Sequence, residues 1–166
     1  MKKLITIHIK FFIQFILLKS YRANIIVMYY IKIKNNNSFL YKLLARGLYE
    51  KIYIDYSVII GKDSKIGKQL LMPHLQNIVI GEFVKIGDSC CIYQDVTIGQ
   101  NKGKYPTIGN NVIVYAGAKI IGDIFIGNNA IIGANSVVTK DVPDNAIVAG
   151  NPATIIKYRR DVDEFY

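Results

Sequence analysis

Histidine is nearly missing from this chain: only His8 and His74 are present. A zinc centre that needs three histidine ligands is therefore out of reach. Cysteine is as rare, and Cys90 and Cys91 are neighbours in sequence. Adjacent cysteines seldom pair with each other, and no CxxC spacing exists for redox or metal work. Acidic residues are scarce at one end. Residues 1–50 hold nine Lys/Arg and the single acid Glu50, a balance of +8, whereas residues 51–166 balance at +1. The net charge of +9 thus belongs to the N-terminal segment. No basic stripe interleaved with aromatics runs through the remainder, which disfavours nucleic acid. A membrane surface or an anionic substrate fits the charge better. A small-residue cleavage site is also lacking after the apolar run Met1–Leu18, since Lys19, Ser20, Tyr21 and Arg22 are polar or bulky. That run is interrupted by His8, Lys10 and Gln14, too often for a membrane span. It reads as an amphipathic helix or strand-like arm that docks on the protein or lies in a membrane interface.

What the chain has in abundance is a period. Ile or Val recurs every six residues at Ile108, Val114, Ile120, Ile126, Ile132 and Val138. Four positions after each stands Val112, Ala118, Ile124, Ala130, Ser136 or Val142, and glycine often follows the first aliphatic. A short fixed period decides architecture before any local reading. Six-residue steps rich in β-branched residues suit short strands joined by tight corners. Three steps make a triangular coil, and coils stack about 4.8 Å apart through parallel ladders. Each coil buries its inner face only on its neighbours. Cys90, four after Ile86, is expected to be a buried, reduced, small apolar residue, which suits a reducing compartment.

The period begins at Ile54 and has two defects. Its phase slips by two residues between Lys68 and Val79, around Pro73-His74, and four extra residues stand between Ile98 and Ile108. Before the repeat, Leu40, Leu43, Leu44, Leu48 and Ile52 recur at helical spacing after a capping Ser38, which predicts a helix over Phe39 to Lys51. The expected organisation is a basic apolar helical segment over 1–52, a β-helical catalytic domain over 53–145, and a turn and tail over 146–166. The expected class is all-β with about five coils.

Four stretches carry a family resemblance: Met72-Pro73-His74, Ile92 through Gly99, Ala116 through Ile120, and Gly133 through Pro143 followed by Ala149-Gly150-Asn151-Pro152-Ala153. They resemble the hexapeptide-repeat acyltransferase superfamily, in the branch of serine and polysaccharide O-acetyltransferases. The resemblance implies a left-handed parallel β-helix, acetyl-CoA as co-substrate, no metal, and a homotrimer with sites between subunits. It implies His74 as general base. An unassisted hydroxyl is a poor nucleophile at neutral pH, and a positioned imidazole gains roughly 10² to 10⁴ in rate. Ala116, Gly117 and Ala134 match positions beside the pantetheine arm, with Thr139, Lys140 and Lys157 toward the CoA phosphates. Tyr93 and Gln94, about one coil beyond His74, are candidates for orienting His74 or contacting the acceptor, and Tyr105 is a candidate for contacting the acceptor. Backbone N–H groups after Gly99 are candidate oxyanion donors, and Glu82 is a candidate holder of the imidazole. The long loop is expected beside His74.

The acceptor is the open point. Serine O-acetyltransferases typically carry an acid just before the catalytic His, and a second His before the proline that follows the loop. Pro73 and Tyr105 stand there instead. The expected acceptor is therefore a sugar hydroxyl, on a surface polysaccharide or its precursor. Serine is the alternative, and a non-catalytic β-helical module the second alternative. The expected location is the cytoplasm, with peripheral membrane contact through residues 1–34.

Overall fold

The computed structural model describes residues 22–159 except Asn35 and Asn37. They form two compact units, divided between Tyr56 and Ser57. The first holds helices α1 (Arg22–Ile33) and α2 (Phe39–Tyr56). The Ser38 carbonyl accepts the N–H of Lys42, and the Asn36 side chain holds the Ser38 N–H at 2.9 Å, so the polar break starts α2 as expected. Tyr30 of α1 meets Tyr49 of α2 with ring centroids 5.6 Å apart. Helix α2 outruns its expected end. Ile54, read as the first residue of the period, lies inside it and is 72% exposed. Its six-residue distance from Ile60 is coincidental, because it also continues the helical spacing of Leu40, Leu44 and Gly47. No helix among the described residues is long and apolar enough to cross a membrane.

The second unit is a parallel β-helix with three faces. The first face stacks β1 (Ile59–Ile60), β3 (Val79–Ile80), β6 (Thr97–Gly99), β9 (Lys119–Ile121) and β12 (Val137–Val138). The second stacks β2 (Lys65–Ile66), β4 (Lys85–Ile86), β7 (Thr107–Ile108) and β10 (Phe125–Ile126). The third stacks β5 (Cys91–Ile92), β8 (Ile113–Val114), β11 (Ile131–Ile132) and β13 (Ala146–Gly150), and closes with the antiparallel β14 (Ala153–Tyr158). Five rungs on the first face enclose about four full turns, slightly fewer than the five coils expected. The second residue of most strands points inward, and Ile80, Ile98, Ile120, Ile126 and Ile132 are wholly buried. Val112, Ala118, Ala130 and Ser136 join them at the corners, and so does Cys90.

The period defects become corner insertions. Ile59 pairs with Val79, two residues more than three hexapeptides away, and Thr97 pairs with Lys119, four residues more. The second-to-third corner has no insertion and is laddered by side chains. Asp88, Asn110, Asn128 and Asp144 each accept a backbone N–H from the coil below at 2.7–2.9 Å. This is why glycine precedes each of these corners from below: a Cβ on Gly87 would collide with the Asn110 side chain.

Candidate active site

His74 sits at the corner from the third face to the first. Met72 is buried on the lowest rung, where Leu71 bridges Cys91, and Ile78 is buried again at the start of the next face. The residues between must span one corner with two positions to spare. Pro73 and His74 are accordingly exposed, while Leu75 turns back into the core. The Gln76 N–H donates to the His74 carbonyl at 2.9 Å and closes the turn.

Above His74 the same corner recurs coil by coil. Gln94, Ala116 and Ala134 occupy it in order, followed by Asp95, Gly117 and Asn135, all three with positive φ. The Asp95 N–H donates to Gln76 O, the Gly117 N–H to Gln94 O and the Asn135 N–H to Ala116 O, so these positions are in register. The structure thus brings together His74, Tyr93, Gln94, Ala116, Gly117 and Ala134. His74 and Ala134 are three rungs apart, about 14 Å along the axis. The side chains shrink along this column from an imidazole to methyl groups and hydrogen. Tyr93 faces His74 with centroids 6.0 Å apart and planes tilted by 43°. The Gln94 Oε1 atom is buried without a hydrogen-bond partner among the described residues. Beside this corner, the Lys119 ammonium donates to Asp95 O at 2.6 Å and Thr97 Oγ1 at 3.2 Å, tying two coils together.

Other candidates stand elsewhere. Thr139 and Lys140 follow β12 at the corner from the first face to the second, and both are exposed. The loop between β6 and β7 leaves from that corner too, so within one chain it is across the first face from His74, not beside it. The two defects fall at different corners because one follows a third-face rung and the other a first-face rung. Tyr105 folds back onto the coil below, in T-shaped contact with Phe83 at 5.4 Å and against Gly81. Glu82 follows Gly81 at this same corner and does not hold the imidazole. In the loop, the Asn101 and Lys104 N–H groups bond each other's carbonyls and the Gly103 N–H donates to Gln100 Oε1, so these three are not free oxyanion donors. Lys104 pairs with Asp123 at 2.7 Å, which raises the ammonium's pKa through that hydrogen bond and the carboxylate's charge. Lys157 is exposed on β14, paired in register with Ile147.

One residue of the corner escaped sequence reasoning. Tyr115 stacks on Tyr93 with centroids 5.2 Å apart and planes at 22°. The signal was present: each follows the buried third-face aliphatic of its coil, Ile92 and Val114.

Comparison with known proteins agrees with this architecture. Residues 105–140 match the family described as bacterial transferase hexapeptide (six repeats). A serine acetyltransferase from Synechococcus elongatus is 46% identical over 103 residues, which is 60% of this chain and 42% of that protein. A solved serine acetyltransferase in complex with CoA superposes with a TM-score of 0.71 at 37% identity, covering 84% of this chain and 57% of that one. Another, in complex with cysteine, gives 0.74 at 35% identity over 89% and 58%. The chain spans less than half the length of that curated relative. These relatives favour the serine alternative and lend no support to the sugar acceptor. The parallel β-helix, its left-handed form included, is the fold these likenesses share, and residues 105–140 carry the repeat of the bacterial transferase hexapeptide family.

Proposed function

We propose that this chain is an acetyl-CoA-dependent O-acetyltransferase whose acceptor is the hydroxyl of serine, with His74 as general base. The observation that carries the reading is the exposed His74 at the foot of a corner column that narrows to Ala116, Gly117 and Ala134. An extended pantetheine arm can lie close to the backbone only where side chains are this small. The length of the column, about three rungs of 4.8 Å, suits such an arm. Lys157 on β14 is proposed for the nucleotide end, together with Thr139 and Lys140 from a neighbouring copy, since these two stand across the first face from the column; a cation suits a phosphate. Tyr93 and Gln94 are proposed to contact the acceptor.

The chemistry follows from these roles. The neutral imidazole takes the acceptor hydroxyl's proton as its oxygen attacks the thioester carbonyl. A C–O bond forms, the C–S bond breaks, and the proton passes to the departing CoA sulfur. Products are the O-acetyl ester and free CoA thiol.

Tyr105 lies across the first face from His74, so it belongs to the same site only if a neighbouring copy supplies it. We propose the homotrimer for that reason, and sedimentation at three times the 18.7 kDa chain mass tests it against a monomer. Cytoplasmic location and membrane contact through residues 1–34 are part of the proposal, and residues 1–21 lie outside the described part. Failure to co-sediment with anionic vesicles would remove the membrane contact. A sugar hydroxyl stays as second reading on one observation, Pro73 and Tyr105 in place of an acid and a histidine. The test is thiol release from acetyl-CoA with L-serine by the wild type and by His74→Ala. Loss of turnover in the variant is expected, and unchanged turnover refutes the base.

A further inference from the structure

His74 poses a problem of orientation. A catalytic imidazole is usually aimed by a hydrogen bond to its second nitrogen. Here the preceding residue is Pro73, Glu82 is at another corner, and no side chain among the described residues hydrogen-bonds the ring. The ring instead faces the Tyr93 ring, with centroids 6.0 Å apart. Tyr93 in turn is backed by Tyr115 at 5.2 Å, nearly parallel. The two tyrosines are held in step by the ladder: the Tyr93 N–H donates to Val114 O at 3.0 Å and the Tyr115 N–H to Ile132 O at 2.9 Å. The next residue in register is Gly133, so the aromatic series stops there and Tyr115 is its outer member.

We infer that Tyr93 and Tyr115 are positioning residues, an aromatic ladder that sets the plane of the His74 imidazole in place of a hydrogen-bonded carboxylate. The inference rests on the reading of His74 as the base. Offset and tilted ring pairs have preferred geometries, so each ring limits the rotamers of the next. Tyr93 stands between His74 and Tyr115 in this series. Tyr115 backs the Tyr93 ring and limits the rotamers in which it would swing out. Tyr115 acts through Tyr93 and does not touch the imidazole.

The test reads the imidazole directly. With only two histidines in the chain, a carbon–proton NMR spectrum of the rings holds two sets of signals, and His74→Ala assigns them. Tyr115→Ala is expected to move or broaden the His74 signals and to lower kcat about two- to tenfold, the worth of one aromatic pair. KM for acetyl-CoA is expected to be unchanged, and Tyr115→Phe to restore both readouts. Tyr93→Leu should alter the His74 signals in the same way. If Tyr115→Ala does not fold, Tyr115→Leu makes the same comparison with an apolar side chain that has no ring. Unchanged His74 signals in the ring-less variant, or a Tyr115→Phe variant as impaired as it, would overturn the ladder. Moved signals with no turnover toward any acceptor would leave the ladder standing and sink the proposed activity instead.

Discussion

Gly117 offers the sharpest stability test at the candidate site. It sits in the His74 corner at φ +75°, in register with Asp95 at +61° and Asn135 at +55°. A Cβ at Gly117 would run into the Asn135 side-chain oxygen. Gly117→Ala therefore meets two costs. The left-handed backbone disfavours alanine by about 1–2 kcal/mol. The Asn135 amide must also move, though among the described residues it holds no hydrogen bond there, so that part is small. A total of about 1–3 kcal/mol is expected. Gly117→Asn should cost less, because asparagine tolerates this backbone region. Its amide would also join the kind of rung seen where Asn77 donates to Asp95 at 2.9 Å and Asn129 to Asn145 at 3.0 Å. The assay is urea unfolding at fixed protein concentration, with the midpoint shift converted through an unchanged m-value. A neutral Gly117→Ala, or a Gly117→Asn as costly as alanine, would refute the reasoning.

Two further outcomes follow from the prism core. Ile120 is wholly buried at its centre, so Ile120→Ala is expected to cost about 2–5 kcal/mol in the same assay, and a loss below 1 would mean the coil refills the cavity. Burial lifts the Cys90 thiol from 9.0 to about 11, so between those values the folded chain keeps a proton that the unfolded chain has released. Its contribution is intact below about pH 9 and is lost as pH rises toward 11, an alkaline decline on the order of 2–3 kcal/mol. Cys90→Ala should flatten that part of the stability curve, and an identical decline in the variant would contradict the assignment.

The prism was legible because burial enforces its pattern. An inward position tolerates only an aliphatic or small residue, so Ile98, Ile120 and Val138 repeat where the backbone does. The defects at Pro73-His74 and before Ile108 were legible for the same reason. Outward positions carry no such constraint, so the period set Tyr93 and Tyr115 at equivalent places, after Ile92 and Val114, without marking either for a role. The first turn misled through Ile54, which satisfies the six-residue step and the helical step together, and local helical spacing won. Within one chain the loop does not stand beside His74, because a defect's position along the sequence does not tell which of three corners it occupies. Tyr105 shows the consequence: close to Gln94 and Thr97 in sequence, it lies against Gly81 and Phe83 across the first face from His74. The acceptor is weighed differently by single residues and by overall likeness. Pro73 and Tyr105 were weighed as lost serine contacts, whereas similarity over 103 residues points back to serine acetyltransferases.

The central claim is that His74 deprotonates a serine hydroxyl for attack on acetyl-CoA. The most direct measurement is free-thiol release from acetyl-CoA by the full chain, with L-serine and with a panel of free and polymeric sugars as acceptors. The account predicts turnover with L-serine that depends on His74 and exceeds the rate with every sugar. Turnover with sugars and none with L-serine would contradict it.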